Sequence, residues 1–295
     1  MSSEFTIDKT QLRRSFDRAA ATYDRVAVLQ REVCDRMFER LDLVRLSPRL
    51  ILDAGSGTGY GARLLQKRYP AAEVIELDLA PGMLKASRGH GAGWRRLLPF
   101  LPPARGRQVC GDIERLPLST GSLDLVWSNL AFQWCNDIDA VFAEAGRALR
   151  PEGLLMFSTF GPDTLKELRE AFGSRDGYAH VNRFMDMHDL GDALVKAGFS
   201  APVLDMEHLT LTYDDLSGLL RDLKALGAHN VNRGRSRGLF GKNAWRAMAE
   251  RYEGLRRDGK LPATYEVVYG HAWRGGAVTP GPLGAARVIP LIPRH

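Results

Sequence analysis

The stretch LILDAGSGTGYGARLL, Leu50 to Leu65, decides the fold, because an apolar run ends in an aspartate and is followed by four glycines within seven residues. The apolar run predicts a buried strand, and the residues from Ala62 onward predict a helix. Glycine is needed between them because a side chain would stop the backbone from turning tightly and approaching a ligand at the helix N terminus. The stretch therefore predicts a strand, loop and helix that bind a nucleotide-like molecule.

From residue 50 onward, short apolar runs alternate with helix-like segments. The strand-like runs are LILDAG, EVIELD, LDLVWSNL and GLLMFSTF, and they are separated by segments such as GARLLQKRY and AVFAEAGRALR. Strands that are apolar on both faces and separated by helices form a parallel sheet covered on both sides. We therefore predict an α/β fold, preceded by helices over residues 1–45 and followed by two further strands in PVLDMEHLTLTY and YEVVYGHAW.

The composition restricts location and partners. The chain has 295 residues, of which 44% are apolar and 26% charged, as in ordinary globular proteins. It has no apolar stretch of membrane-spanning length, and its opening MSSEFTIDKTQLRR lacks the apolar centre of a secretory signal. We expect a cytoplasmic protein without a membrane partner. The net charge of +6 favours acidic partners, but aromatic residues do not alternate with the basic ones as in a nucleic-acid groove.

The cysteines indicate neither a disulfide framework nor a zinc site. Cys34, Cys110 and Cys135 are widely spaced and form no CxxC pair. We expect three reduced core thiols and no bound metal.

The glycine loop fits two kinds of nucleotide ligand. Gly57, Gly59 and Ala62 match the dinucleotide fingerprint, and Asp78 follows about 20 residues on, so an NAD-dependent oxidoreductase stays open. Asp53, however, lies directly before the loop, where its carboxylate would attract a cationic amino-acid group and repel a pyrophosphate. The position of Asp53 favours a cationic ligand.

Two more carboxylates follow predicted strands. Asp78 ends EVIELD, where ribose hydroxyls could donate to it. In CGDIERLP, the carboxylate of Asp112 could accept from the exocyclic amine of adenine while the backbone N–H of Ile113 meets a ring nitrogen. Together these features describe an adenosine that carries a positively charged amino-acid arm.

At this point the chain resembles the class I S-adenosylmethionine-dependent methyltransferases over about residues 45–160, because DAGSGTG, ELDLAPGML, GDIERLPL, LDLVWSNLAFQW and LRPEGLLMFSTF follow that family's order and spacing. The resemblance implies a Rossmann-like fold with a seven-stranded, mostly parallel sheet, and S-adenosyl-L-methionine as methyl donor. It implies cofactor contacts from Asp53, Gly55, Gly57, Gly59, Asp78, Leu79, Asp112, Ile113 and Asn129.

Three side chains are candidates for the side on which the methyl group moves. Asn129, at the end of the fourth predicted strand, could orient a polar group. Phe132 and Trp134 could pack against adenine or the cation, or belong to the core. The resemblance also implies that Tyr23 caps the site if the N-terminal helix folds over the cofactor.

The remaining segments are similar to the malonyl-acyl-carrier-protein O-methyltransferases of biotin synthesis. FSTFGPDTLKELREAF, AHVNRFMDMHDLGDALVKAGF, LLRDLKALGAHNVNRGRSRGLFG and YEVVYGHAW extend the resemblance to about residues 10–275. That family esterifies the free carboxylate of a malonyl thioester, which can then be elongated towards a pimeloyl chain. We expect a helical cap over 1–45, a methyltransferase domain over 46–275 with lid insertions at about 161–183 and 214–262, and a disordered tail over 276–295.

A carboxylate acceptor changes what the site needs. It is already ionised at neutral pH, so no general base is required, whereas a cationic clamp must orient one oxygen. We expect Arg183 and Arg233 to contact the malonyl group or the phosphopantetheine phosphate. Since carrier proteins are acidic, Lys224, Arg235 and Arg237 are candidate docking residues. Malonyl-coenzyme A is an alternative carrier of the same group.

Other functions remain open at this stage. A small-carboxylate methyltransferase of the trans-aconitate type would share the core. DLKALGAHN also resembles a mitochondrial assembly factor that keeps a methyltransferase fold and modifies an arginine of a partner protein, and a non-catalytic cofactor-binding module is a further possibility. Neither an NPPY-like tetrapeptide nor a Pro-Cys pair is present, which disfavours methylation of nucleic acid.

Overall fold

The computed structural model describes residues 6–91, 107–173, 184–226 and 241–275, and a seven-stranded sheet runs through them. Its strands are β1 (Leu50–Ala54), β2 (Glu73–Asp78), β3 (Arg107–Cys110), β4 (Leu123–Asn129), β5 (Leu149–Phe160), β6 (Phe199–Tyr213) and β7 (Leu261–Arg274). The spatial order is β3-β2-β1-β4-β5-β7-β6. The first five strands pair in parallel, and β7 pairs antiparallel with both β5 and β6. The predicted seven-stranded, mostly parallel α/β fold is confirmed.

Ten α-helices lie in the described part of the chain: α1 (Lys9–Ala19), α2 (Tyr23–Val26), α3 (Val28–Arg40), α4 (Tyr60–Arg68), α5 (Pro81–Gly91), α6 (Ile138–Ala148), α7 (Lys166–Phe172), α8 (Met187–Lys196), α9 (Leu216–Ala225) and α10 (Lys242–Glu253). Aspartates begin several of them by accepting from a free N–H of the first turn, namely Asp8, Asp137, Asp186 and Asp215. In the described ranges, no helix is both long and apolar enough to cross a membrane.

Apolar side chains cover both faces of the sheet. One layer includes Val33 and Met37 of α3 against Trp127 of β4, all fully buried. The other layer includes Phe142 of α6 against Phe157 of β5. Strands β1 and β4 are buried on both faces because they lie in the middle of the sheet, which explains why their sequences are almost continuously apolar.

The N-terminal helices pack on the sheet and on the neighbouring helices. α1 lies against α5, and α3 lies against β4 and β5. Ion pairs from Arg36 to Glu207 and from Arg40 to Asp205 join α3 to β6 at 2.6 and 2.8 Å. The predicted lid ranges contain α7, α9 and α10, and their closure stays a prediction.

Candidate active site

The glycine loop after β1 has the backbone that its sequence predicts. Gly55, Gly57 and Gly59 have φ angles of +79°, +53° and +75°, in the left-handed region that glycine favours. A Cβ atom added at Gly55 would lie 2.3 Å from the Cβ atom of Ala131, whereas one added at Gly57 would meet nothing within 4 Å. The loop therefore packs tightly at its start and leaves open space beside Gly57.

A cavity lies next to this loop, at the carboxyl ends of the parallel strands. Its wall includes the predicted residues Tyr23, Gly55, Gly57, Asp78, Leu79, Asp112, Ile113 and Asn129. The structure adds side chains that the motifs did not predict for this site, among them Lys9, Leu12 and Phe16 of the N-terminal segment, Met83 of α5 and Cys135. The cavity is thus closed by four loops of the sheet and by the first helices of the chain.

Backbone donors hold the Asp78 carboxylate at the cavity. Its Oδ2 accepts from Gly57 N at 2.9 Å and its Oδ1 from Ala80 N at 2.8 Å. Burial raises the pKa of Asp78 to about 6, although both backbone bonds act in the opposite direction. Each oxygen keeps a second lone pair that can accept from a ligand hydroxyl.

Tyr23 and Asn129 lie on the side of the cavity that faces the N-terminal helices. Burial raises the pKa of Tyr23, and Asp78 adds to the effect, so its phenol stays a protonated donor. Asn129 donates through Nδ2 to Gln30 O and accepts through Oδ1 from Ser158 Oγ, both at 2.9 Å. These bonds fix the end of β4 against α3, and the role of either residue in catalysis stays a prediction.

Asp53 precedes the loop in β1 and Gly59 ends the loop at the start of α4, and neither is part of the cavity wall that the described residues form. Asp53 is 2% exposed, and its carboxyl group accepts from the backbone N–H of Ala62 in the first turn of α4. Burial raises the pKa of Asp53 to about 8. A Cβ atom at Gly59 would lie 2.1 Å from Ser87 Oγ of α5. The predicted contacts of these two residues with a cofactor stay predictions.

The two aromatic candidates, Phe132 and Trp134, lie in one short 3-10 turn, but their rings have different surroundings. Phe132 is 3% exposed, and its ring packs 5.9 Å from that of Phe142 and 5.2 Å from that of Phe157, so it belongs to the core. Trp134 lines the cavity and meets the ring of Phe16 edge-on at 5.5 Å. Of these two residues, only Trp134 is available to a ligand in the cavity.

A second, larger cavity of about 1290 Å³ adjoins the first, and Trp134 lines both. Most of its wall is apolar, with Leu29, Phe160, Leu165, Leu168, Phe172, Phe184, Leu211, Leu220, Leu223 and Leu226. A polar group interrupts this wall where Tyr213 is hydrogen bonded to Asp222 and Tyr265. Among the residues that the structure describes, four exposed cations also line it: Arg18, Arg25, Arg221 and Lys224.

Several predicted residues lie outside the described residues. They are Arg183, Arg233, Arg235, Arg237, the tail 276–295 and most of the insert between residues 89 and 107. Lys224 is described and is exposed on α9. Its part in docking is untested.

Among the residues that the structure describes, Asp163, His208 and Glu266 form a group with metal-binding side chains. These atoms already have partners: Asp163 Oδ2 lies 3.0 Å from Lys166 Nζ and 3.6 Å from His208 Nε2, and Glu266 Oε2 accepts from Asp163 N at 2.7 Å. We derive no metal site from them, and the expectation of a metal-free protein stays a prediction.

The sheet order and the glycine loop at the end of β1 define the class I methyltransferase fold, and the family described as a methyltransferase domain matches residues 52–157. Solved structures agree at the level of the fold. The YcgJ protein of Bacillus subtilis has a TM-score of 0.58 at 13% identity, covering 83% of this chain and 98% of that one. A phosphoethanolamine N-methyltransferase of Haemonchus contortus, solved with S-adenosylhomocysteine, has a TM-score of 0.53 at 19% identity, covering 90% of this chain and 60% of that one.

The similarity in sequence is more specific. A malonyl-acyl-carrier-protein O-methyltransferase of Laribacter hongkongensis is 62% identical over 277 residues, which are 94% of this chain and 93% of the relative. The chain belongs to the family of malonyl-acyl-carrier-protein O-methyltransferases.

Proposed function

We propose that the protein transfers the methyl group of S-adenosyl-L-methionine to the free carboxylate of a malonyl thioester on acyl carrier protein. The observation that carries the proposal is the extent of the similarity to the Laribacter enzyme. The match to the methyltransferase domain covers residues 52–157, whereas that similarity covers 94% of the chain. The similarity to the Laribacter enzyme therefore includes most of the elements before residue 52 and after residue 157 that form the larger cavity.

The described residues fit the methyl donor. The open space beside Gly57 would be filled by any side chain at this position. Asp78 can accept from ribose hydroxyls, and Asp112 can accept from the adenine amine. When bound, S-adenosyl-L-methionine supplies the methyl group on a positively charged sulfur, and Trp134 presents an aromatic ring to a cation in this cavity.

The acceptor needs orientation more than activation. A malonyl carboxylate is ionised at neutral pH, so one of its oxygens can form the bond to the methyl carbon without a general base. The electron pair of the broken C–S bond stays on sulfur, which becomes neutral. The protein's contribution is to exclude water and hold the carboxylate in line. We assign the clamp to Arg183 and Arg233 and a further part in positioning to Asn129 and Tyr23.

The larger cavity suits the pantetheine arm of the carrier. This arm is mostly aliphatic and has amide groups, so it matches an apolar wall that is interrupted by Tyr213 and Asp222. The exposed cations Arg221 and Lys224 can meet its phosphate and the acidic carrier, and Arg235 and Arg237 are further docking candidates. In this function, esterification hides the charge of the malonyl group during elongation towards a pimeloyl chain for biotin, in the cytoplasm and without a metal.

The test is methyl transfer from labelled S-adenosyl-L-methionine to purified malonyl-acyl carrier protein. Acetyl-acyl carrier protein, malonyl-coenzyme A, free malonate and trans-aconitate serve as parallel acceptors. We expect labelling of the malonyl thioesters alone. Labelling of trans-aconitate would indicate a small-carboxylate enzyme. No labelling while S-adenosyl-L-methionine still binds would contradict the proposal and favour a protein substrate.

A further inference from the structure

We propose that Lys9, in the N-terminal helix, is a positioning residue for the adenine ring of the cofactor and acts by orienting the Asp112 carboxylate. No motif at Lys9 predicts this role. The two residues are 103 positions apart in the chain. The inference rests on the proposed use of S-adenosyl-L-methionine.

The geometry leaves one carboxylate oxygen available to a ligand. Lys9 Nζ lies 3.1 Å from Oδ1 of Asp112 and 3.1 Å from Oε1 of Glu114. The backbone N–H of Glu114 also donates to Asp112 Oδ1 at 3.1 Å. Oδ2 has no hydrogen-bond partner in the described ranges of the chain. Because Oδ1 is held from two directions, the carboxylate cannot turn freely, and Lys9 and Asp112 both line the cofactor cavity.

This ion pair differs from an ordinary surface pair. The side chains of Lys9, Asp112 and Glu114 are only 23%, 32% and 19% exposed, so water screens them incompletely. Burial by itself lowers the pKa of Lys9, but the neighbouring Cys135, Asp112 and Glu114 outweigh it and raise that pKa. The lysine is therefore charged at neutral pH and balances two neighbouring carboxylates that would otherwise repel each other.

A hydrogen-bond network holds Lys9 in place. Ile7 N donates to Asn136 Oδ1 at 2.7 Å, and Asn136 Nδ2 donates back to Ile7 O at 3.2 Å. Asn136 N donates to Glu114 Oε1, the same oxygen that Lys9 contacts. The start of α1 is therefore fastened to the loops that follow β3 and β4, and the ion pairs of Lys9 with Asp112 and Glu114 are a separate attachment.

The free oxygen matches adenine. The exocyclic amine is a neutral donor, and a carboxylate oxygen held at a fixed angle is the stronger acceptor for it because no reorientation is needed on binding. Without Lys9, we expect the Asp112 carboxylate to turn towards water and away from Glu114. The variant should therefore lose binding affinity only at the contact with the adenine amine, and the other contacts of the cofactor should be unchanged.

The experiment compares two ligands by titration calorimetry: S-adenosylhomocysteine and its 6-deamino analogue, in which hydrogen replaces the adenine amine. We expect the unchanged protein to bind the first about tenfold more tightly than the second. Lys9→Met should weaken S-adenosylhomocysteine binding by about tenfold, leave the deamino analogue within about twofold, and so abolish the preference.

Two control variants distinguish orientation of the Asp112 carboxylate by Lys9 from attachment of α1 to the site. Asn136→Ala removes the bonds to Ile7 and should weaken both ligands by the same factor, because it loosens α1 while Lys9 and Asp112 remain. Lys196→Met removes an exposed ion pair between Lys196 of α8 and Asp139 of α6 and should change neither affinity. Equal weakening of both ligands by Lys9→Met, or no weakening, would overturn the proposal. Failure of the unchanged protein to bind S-adenosylhomocysteine would instead contradict the proposed cofactor.

Discussion

Substituting Gly57 by alanine tests whether the open space beside the loop belongs to the cofactor. The backbone of Gly57 has φ +53°, where an L-residue costs about 1–2 kcal/mol. An added Cβ meets no protein atom within 4 Å, so no clash adds to this cost. Gly121 is a matched control, since it is exposed, has φ +64° and also leaves a Cβ without neighbours within 4 Å.

We therefore expect both Gly57→Ala and Gly121→Ala to lower Tm by about 2–6 °C. Only the first should weaken S-adenosylhomocysteine binding, because its methyl group enters space that the ligand occupies. Overpacking of this kind costs about 1–3 kcal/mol, which corresponds to a loss of about 5- to 140-fold in affinity. Thermal unfolding and calorimetric titration measure the two effects separately. Equal affinity of Gly57→Ala and the unchanged protein would refute the placement of the cofactor against this loop.

Other predictions address pH, the acceptor and the carrier. Burial raises the pKa of Asp78 to about 6, and the ionised form is the better acceptor for ribose hydroxyls, so the affinity for S-adenosylhomocysteine should rise as pH increases through about 6. Asp78→Asn should remove this pH dependence, and an affinity that falls with increasing pH would contradict the prediction. Arg183→Ala and Arg233→Ala should each reduce kcat/KM for malonyl-acyl carrier protein by about tenfold or more, while S-adenosylhomocysteine affinity stays constant in calorimetry. Lys224→Glu should raise KM for malonyl-acyl carrier protein but not for malonyl-pantetheine, which lacks the carrier and the phosphate, and equal effects on both acceptors would exclude docking as the cause.

The cofactor side of the site could be predicted from sequence because its residues lie in short segments at strand ends. Parallel strands bring their carboxyl ends to one edge of a sheet, so Asp78, Asp112 and Asn129 meet there even though they are far apart in the chain. The fold follows from the same segments. The sequence also predicted β6 and β7 as strands, but the position of β7 between β5 and β6 depends on long-range pairing that no local pattern shows.

The orientation of individual side chains was less predictable. Phe132 and Trp134 are two residues apart in similar sequence surroundings, and the 3-10 turn directs one into the core and the other into the cavity. The expectation of three core thiols is confirmed for Cys34, which is buried, and wrong for Cys110, which is exposed, whereas Cys135 is half-buried and lines the cavity. β3 is an edge strand with exposed ends, which explains why a cysteine there is not covered.

Contacts made by the N-terminal helices could not be predicted from motifs. Lys9 lies in an amphipathic helix whose sequence gives no indication of its partners. Only the folded chain brings it to Asp112. The contact of Asp53 with a cofactor was predicted from its position at the end of β1, and the backbone bond from Ala62 N–H to its carboxyl group could not be predicted from that position.

The central claim is that the malonyl carboxylate receives the methyl group, and intact-mass spectrometry of the acceptor tests it most directly. Malonyl-acyl carrier protein is incubated with S-adenosyl-L-methionine and the protein, and the pantetheine arm is then released for fragmentation. We expect the mass to increase by one methylene unit, located in an ester at the free end of the malonyl group. An unchanged acceptor, or a methyl group found on the carrier polypeptide, would contradict the account.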